Sequence, residues 1–296
     1  MRELLLIVNT SKPGAAALAG EVAARLREFG MDALAETSCR AFLPEKTVFL
    51  PAEEALARCD GVIALGGDGT ILQAARLAMA RRKPVLGINA GRLGFLAGLE
   101  RHELDLLRQL REDQYETDRR MMLLAQIRDG DTVLRESCCI NDAVVGRGGA
   151  TRAADVPVLC ENGRRLRFLG DGVIFSTPTG STAYSLSAGG PVVDPRIESI
   201  LLTPICTHLF FSRSIVFSPQ AVLRAEIAQD GLTLTADAEP PLELRAGQEV
   251  WIRRADETAA FLRIKADSFL DVMERKLIRN AQALEPDLET MRDERV

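Results

Sequence analysis

The sequence predicts two domains: an α/β N-terminal domain with a mostly parallel sheet, then a β-rich, antiparallel, sandwich-like C-terminal domain. Three observations carry that expectation. Short continuous apolar runs alternate with helical periodicity from the N-terminus to about Glu112, short β-like runs punctuated by turn residues take over from Tyr115, and helical spacing returns at Ser268. A chain of 296 residues with 47% hydrophobic content also has the material for two ordinary cores.

The first strand is read over Leu4 to Val8, an apolar run without alternation, as expected of a strand covered on both faces. Asn9-Thr10-Ser11-Lys12-Pro13-Gly14 is a turn, and Ala15 to Phe29 then spaces Leu18, Val22, Leu26 and Phe29 at threes and fours before stopping at Gly30. Thr47 to Leu50 reads as a strand, Ala52 to Cys59 as a short helix, Val62 to Leu65 as a strand, Thr70 to Arg81 as a helix and Val85 to Ile88 as a strand. Glu100 to Glu112 reads as one further helix, with Leu104, Leu107 and Leu110 on one side. Strands alternating with helices imply parallel pairing with right-handed crossovers, and ligands in such sheets sit beyond the carboxyl ends of the strands.

In the second region Met122 to Arg128 and Thr132 to Ile140 flank the turn Asp129-Gly130-Asp131, while Asp155 to Cys160 and Arg164 to Leu169 flank Glu161-Asn162-Gly163, a strong hairpin signal. Ser214 to Phe217, Val222 to Ala228, Leu232 to Ala236 and Glu249 to Arg253 add further strands, and Ser181 to Ser187 is a short helix. Ser268 to Ile278 is helical, with Phe269, Leu270, Val272, Met273 and Leu277 apolar, and the charged tail Glu285 to Val296 is expected to fray.

Charge and composition bound the function. The 37 basic and 42 acidic residues give a net charge of -5 without a block of either sign, which does not point to nucleic acid. Cys39, Cys59, Cys138, Cys139, Cys160 and Cys206 show no CxxC spacing and only His102 and His208 could join them, so no zinc site is expected and reduced thiols in a cytoplasmic protein are. Met1 to Val8 is a short apolar run carrying Glu3, a strand rather than a leader, and Ile200 to Phe217 is broken by Thr203, Pro204, Thr207, His208, Ser212 and Arg213, so no membrane span is expected.

Leu65-Gly66-Gly67-Asp68-Gly69-Thr70 lies between an apolar run and a helical pattern. Its glycines free the backbone to take positive φ and let a ligand approach the N–H groups, and the helix after the loop favours anions at its start. That is a place for phosphate. A carboxylate beside phosphate is repelled unless it holds a metal ion, orients a hydroxyl or takes a proton, so Asp68 marks the loop for phosphoryl transfer. No Gly-Lys-Ser/Thr comes next, which excludes a Walker A loop, and no Gly-x-Gly-x-x-Gly opens the first strand-helix unit, which argues against a dehydrogenase. Asn89-Ala90-Gly91-Arg92-Leu93-Gly94 is a second glycine-bearing loop past a strand end, expected at the same crevice.

Asn141-Asp142 offers an amide and a carboxylate suited to the adjacent hydroxyls of a ribose, or equally an Asn-Asp turn satisfying its own backbone. From Gly170 to Pro191 a strand runs into a dense set of hydroxyls and glycines in which small side chains admit a flat ligand and Tyr184 offers a stacking face.

These motifs together, Gly66-Gly67-Asp68-Gly69-Thr70, then Gly87 to Leu96, Asn141-Asp142 and the run from Gly170 to Pro191, have the motif order of the NAD kinase family, which the chain resembles from Asn9 to about Leu277. The first motif is shared with diacylglycerol, sphingosine and other lipid kinases and more loosely with phosphofructokinases; the long third motif is the specific one. The resemblance implies phosphorylation of the adenosine ribose 2′-hydroxyl of NAD by ATP with Mg²⁺ to give NADP. It implies that Asp68 takes or orients the hydroxyl proton, that Gly69 closes on the phosphates, and that Phe95 packs near the adenine. Asn141 and Asp142 would hold the adenosine portion, Thr182, Ala183, Tyr184 and Ser187 would line the dinucleotide pocket, and Asp171 would approach the nicotinamide half. No protein metal ligand is assigned. The resemblance also implies a homodimer or homotetramer whose subunits share their pockets, and a last segment, 266–296, that returns to a first domain of 1–114, leaving 115–265 as the dinucleotide-binding domain. Two departures stand out: Asp142 occupies a position that is often Glu, and Asp237-Ala238-Glu239-Pro240-Pro241 stands where relatives commonly show Asp-Gly-Gln. The rival readings are a lipid kinase and a non-catalytic nucleotide sensor.

Overall fold

The computed structural model describes residues 1–91, 94–149, 153–160, 163–207, 212–237 and 239–278. These fall into two compact units, Met1–Asp118 together with the described residues from Ala260 onward, and Arg119–Ala259.

The first unit runs β1 (Glu3–Val8), α1 (Ala15–Glu28), β2 (Asp32–Glu36), β3 (Val48–Leu50), α2 (Ala52–Arg58), β4 (Gly61–Gly66), α3 (Asp68–Met79), β5 (Val85–Asn89), β6 (Leu99–Glu100) and α4 (Arg108–Arg111). Its strands pair in parallel in the order β5-β4-β1-β2-β3, with Leu4 opposite Gly61 and Val62 opposite Val85. Every residue of β4 and β5 is buried, as continuous apolar runs require of central strands. Leu18, Val22 and Leu26 of α1 pack on Leu4, Leu6, Ile63 and Leu65. The strand order reverses at β1, so the crevice beyond the carboxyl ends of β1 and β4 is the switch point where such sheets bind ligands.

Two elements of this unit differ from expectation. The sequence pattern passes over β2, whose buried Ala33-Leu34-Ala35 is flanked by exposed Asp32 and Glu36. Glu100 to Glu112 is not one α-helix: after β6 comes a 3₁₀ helix, Arg101–Leu107, and then the single turn α4. Leu104, Leu107 and Leu110 recur at threes, and that spacing aligns on one side of a 3₁₀ helix as it does on an α-helix.

The second unit contains all but the first three residues of β7 (Glu116–Asp129), then β8 (Thr132–Cys139), β9 (Asp142–Arg147), β10 (Ala154–Leu159), β11 (Arg165–Gly170), β12 (Gly172–Ser176), α5 (Tyr184–Ser187), β13 (Ile200–Ile205), β14 (Ile215–Phe217), β15 (Leu223–Glu226), β16 (Leu232–Ala236), β17 (Leu242–Leu244) and most of β18 (Glu249–Arg263). One antiparallel sheet has the order β14-β13-β12-β9-β16-β17; the other strands run β11-β10-β15-β18, with β7 on β18 and β8 on β7. Val145, Val173, Phe175, Leu202 and Leu234 of the first set share a core with Val156, Val158, Leu223 and Ile252 of the second, the inner faces of a sandwich. The expected hairpin is present, with Leu159 opposite Arg165 and Ala154 opposite Gly170, although Glu161 and Asn162 lie outside the described residues.

β18 runs ten residues beyond the predicted Arg253, because Arg254, Asp256 and Glu257 interrupt the apolar signal without interrupting the pairing. Its last residues belong to the first unit, where Phe261 pairs in parallel with Val85. The predicted helix from Ser268 resolves into α6 (Phe269–Met273) and one π-helical turn, Glu274–Ile278. Ser268 caps α6, accepting from the Asp271 amide at 3.2 Å and donating its own amide to the Asp271 carboxylate at 2.8 Å. The predicted apolar face of α6 buries none of its residues. Glu285 to Val296 lies outside the described residues.

Candidate active site

In the first unit the glycine loop forms where β4 meets α3. Asp68 is itself the first residue of that helix, two residues earlier than the predicted start at Thr70. The expected positive φ at Gly66, Gly67 and Gly69 is not found: Gly67 has φ -104°, and Gly66 and Gly69 are absent from the left-handed residues. The requirement is space instead. A Cβ on Gly66 would overlap the Thr70 side chain, which is buried and accepts a hydrogen bond at 3.1 Å from Asn9 Nδ2, just past β1. Asn9 and Thr70 thus tie the ends of β1 and β4 together at the switch point. Asp68 and Gly69 lie in the first turn of α3, where the helix supplies their amides no acceptor and its dipole favours an anion. Lys12 also belongs here, its Nζ 3.4 Å from where a Gly67 Cβ would stand.

The Asp68 carboxylate is held by the second glycine loop. Oδ2 accepts from the Phe95 amide at 2.7 Å and Oδ1 from the Leu96 amide at 3.1 Å. Gly94 is required at this clasp, since a Cβ there would collide with Oδ1. Asp68 and Phe95, 27 residues apart in sequence, are therefore adjacent; Arg92 and Leu93 lie outside the described residues. Beneath them Asn89 is buried, accepts from the Gly91 amide at 3.0 Å and donates to Glu100 Oε2 at 3.1 Å. Burial raises the Glu100 carboxyl above its ordinary range, with Glu103 adding to the shift against the opposing Asn89 hydrogen bond and Lys265 charge. Lys276, from the π-helical turn, brings its Nζ 4.0 Å from Asp68 Oδ2 and 3.7 Å from the centre of the Phe95 ring.

In the second unit Asn141 immediately precedes β9 and Asp142 opens it, the strand-end position that lets neighbouring side chains serve one ligand. Their backbone is clamped from two sides. Asp237 accepts from the amides of Ile140 at 2.7 Å, Asn141 at 2.7 Å and Asp142 at 3.2 Å, and its own amide donates to the Asp142 carbonyl at 3.0 Å. Thr177 donates its hydroxyl to the Ile140 carbonyl at 2.6 Å and its amide to the Asn141 carbonyl at 2.9 Å. Asp142 is buried, and burial, reinforced by the charge of Asp237, pushes its carboxyl up to about 7. The departure at 237–241 thus keeps a structural acid: Asp237 adopts φ 46°, a left-handed conformation Asp tolerates, and Glu239 donates its amide to the Ala236 carbonyl at 2.8 Å. Ala238 lies outside the described residues.

The hydroxyl-rich run divides into two sets. Ser181 donates to the Pro178 carbonyl at 2.6 Å and accepts from the Val193 amide at 3.0 Å, while Ser185 shares a 2.9 Å bond with Thr203 of β13, so these buried hydroxyls fasten the run to itself and to its surroundings. Thr182 and Ala183 are half-buried, whereas Tyr184 and Ser187 on α5 are exposed. All four reach solvent in part, unlike Ser181 and Ser185.

Asp171 stands apart from the others. It precedes β12 while Thr177 comes after it, and antiparallel pairing sets Gly172 opposite Gly146 and Ser176 opposite Asp142. At the usual strand rise, Asp171 and Asp142 are therefore separated by about 13 Å or more along the β9–β12 pair. Asp171 is ion-paired to Arg147 at 3.1 Å.

Comparison with known proteins matches residues 4–115 to the ATP-NAD kinase N-terminal domain and residues 140–264 to the ATP-NAD kinase C-terminal domain. The chain belongs to the ATP-NAD kinase family. It is 38% identical over 288 residues to the NAD kinase of Desulforamulus reducens, covering 94% of this chain and 97% of that one. It is likewise 38% identical over 281 residues to the NAD kinase of Symbiobacterium thermophilum, covering 94% and 99%. Among solved structures, yeast NADH kinase complexed with NADH superposes with a TM-score of 0.83 at 23% identity, covering 93% of this chain and 86% of that chain. An NAD kinase from Archaeoglobus fulgidus in complex with ATP gives 0.70 at 24%, covering 90% and 94%. At such identities the two structures establish the fold.

Three residues of this NAD kinase family member carry site geometry that sequence reasoning missed. Asp237 reads in sequence only as the start of a departure from the family pattern; Arg147, the partner of Asp171, sits in an ordinary strand; and Lys276 lies in Glu274-Arg275-Lys276, the charged part of a segment read only as helical. A lysine flanked by apolar Val272, Met273 and Leu277 was the available signal for the last.

Proposed function

We propose that the chain phosphorylates the 2′-hydroxyl of the adenosine ribose of NAD, with MgATP as donor and NADP as product. NAD phosphorylation with ATP agrees with family membership, which also disfavours the lipid-kinase reading. The observation that carries the mechanism is Asp68: a carboxylate fixed by two loop amides at the start of a helix, where the first amides lack intrahelical acceptors and the dipole favours an anion. In the proposed step the ribose 2′-oxygen forms a bond to the γ-phosphorus, the bond from that phosphorus to the β,γ-bridging oxygen breaks, the hydroxyl proton passes to Asp68, and ADP leaves. Such transfers run through a loose transition state, so positioning and charge compensation supply most of the rate. The bare backbone at Gly67 and Gly69 suits phosphate oxygens rather than a cation, and Mg²⁺ is commonly held through substrate phosphates and water. We therefore write Mg²⁺ as part of the donor and assign it no side chain.

Asn141 and Asp142 are proposed to hold the adenosine portion, with Asp142 donating a hydrogen bond when its carboxyl is protonated. Thr182, Ala183, Tyr184 and Ser187 are proposed to line the dinucleotide pocket, Gly69 to close on the phosphates, and Phe95 to pack by the adenine. The separation of Asp171 from Asp142 within one chain supports the reading that a second copy supplies Asp171 to the nicotinamide half, in a homodimer or homotetramer. The working division proposed is 1–114 with 266–296, against 115–265. No described helix is long and apolar enough to cross a membrane, and the cytoplasm is the proposed location.

The test is direct: purified protein is incubated with NAD, ATP and Mg²⁺, and NADP is assayed enzymatically, with parallel arms containing NADH, polyphosphate or diacylglycerol. NADP formed from NAD and ATP is expected. Phosphorylated lipid, or binding of NAD without turnover, would overturn the proposal.

A further inference from the structure

Lys276 is 6% exposed. Lysine is almost never buried unless paired, yet among the described residues its Nζ has no hydrogen-bond partner. Asp68 Oδ2, at 4.0 Å, is within ion-pair range and beyond hydrogen-bond range, and the Phe95 ring lies 3.7 Å from the amine, close enough for a cation–π contact. The charges facing the amine are Asp68 and Glu100, which favour the ammonium, and Arg275, which opposes it. Burial dominates and holds its pKa down at about 8, so the group is cationic at neutral pH and discharges within an accessible range.

The placement is built. Lys276 belongs to a π-helical turn, a local irregularity frequent at functional sites. The segment before it is pinned by charge: Lys265 donates to Glu103 at 2.8 Å and lies 3.6 Å from Asp267, and Asp267 accepts from Arg275. Arg275 also donates to the Asp271 carbonyl at 3.2 Å. These contacts hold the segment that carries Lys276, whose Nζ approaches Asp68 at Oδ2, the oxygen that also accepts from the Phe95 amide.

We propose that Lys276 is a positioning residue for phosphoryl transfer, its ammonium fixing the Oδ2 edge of Asp68 and the ring of Phe95 so that the C-terminal segment completes the reacting group. The proposal rests on the assignment of Asp68 as the proton acceptor. It also means that one face of Phe95 is taken by the amine, leaving only the other face to a bound base.

The experiment compares Lys276→Met and Lys276→Arg with the wild type in NADP formation between pH 6 and 10, with NAD binding and thermal melts measured alongside. K276M should lower kcat about 10²-fold, the scale of misplaced reacting groups, while the KM for NAD stays within about threefold. The wild-type rate should fall on the alkaline side as Lys276 loses its proton, and K276R, which keeps its charge, should move that fall upward by more than about one pH unit. Wild-type kcat in K276M, or the same alkaline fall in wild type and K276R, would overturn the proposal. If K276M does not fold, the K276R profile decides alone. Asp68→Asn separates the two claims: full turnover in D68N defeats the Asp68 assignment, whereas a dead D68N beside a wild-type-like K276M defeats the Lys276 role alone.

Discussion

Asp68 in the first unit and Asp237 in the second are gripped alike, each by backbone amides of a loop distant in sequence. Asp68 accepts two such hydrogen bonds and Asp237 three. Their counter-groups differ. Opposite Asp68 is the ammonium of Lys276; opposite Asp237 is the buried carboxyl of Asp142. A carboxylate clasped at a helix start beside a cation is placed to meet a reactant. A carboxylate beside a buried second acid adds its charge to the burial that already keeps a proton on that neighbour. The amide clasp positions an acid, and the counter-group decides its use.

This contrast can be broken most forcefully at Asp237. Replacing it with Ala leaves three part-buried amides without their acceptor, and at about 1–3 kcal/mol for each unsatisfied group the expected loss of stability is about 5 kcal/mol, read as a large fall in the denaturant midpoint. Asp68→Ala, which leaves two amides without their acceptor at a partly exposed site, should cost less, about 2 kcal/mol. Equal losses in the two variants would erase the distinction between a structural and a reacting acid.

A smaller effect sharpens the same point. Folded Asp142 keeps its proton to about pH 7, against 3.8 for the free side chain, so the folded state binds more protons across that window and stability falls as pH rises through it. Asp142→Asn removes the titration. The stability difference between D142N and wild type should therefore grow in favour of D142N from pH 4 to pH 7, by up to about 4 kcal/mol, and then level off. A difference that stays flat across pH 4 to 8 would show that the fold does not hold Asp142 protonated.

The fold was legible where its grammar is local. Continuous apolar strands, helix spacing and the Asn-Gly hairpin signal need only neighbouring residues, and β4, the glycine loop and α3 appear within two residues of their expected positions. Elements failed where two structures share one spacing, as with Leu104, Leu107 and Leu110, or where charges interrupt a strand, as in β18. In the candidate site, the side chains were legible but their supports were not. Nothing local joins Asp68 to the amides of Phe95 and Leu96, or Asp237 to Ile140, because those contacts span 27 to 97 residues. The hydroxyls between Gly170 and Pro191 read alike in sequence, and only packing separates buried Ser181 and Ser185 from exposed Tyr184 and Ser187.

The central claim, that Asp68 serves the reaction and not the architecture, is tested most directly by Asp68→Asn, which keeps the shape of the side chain and removes its capacity to take the proton. NADP formation should fall by at least about 10³-fold, while NAD affinity by calorimetry stays within about threefold and the melting temperature falls by only a few degrees, the cost of about one clasp hydrogen bond. Turnover at the wild-type rate, or loss of NAD binding in step with loss of activity, would contradict it.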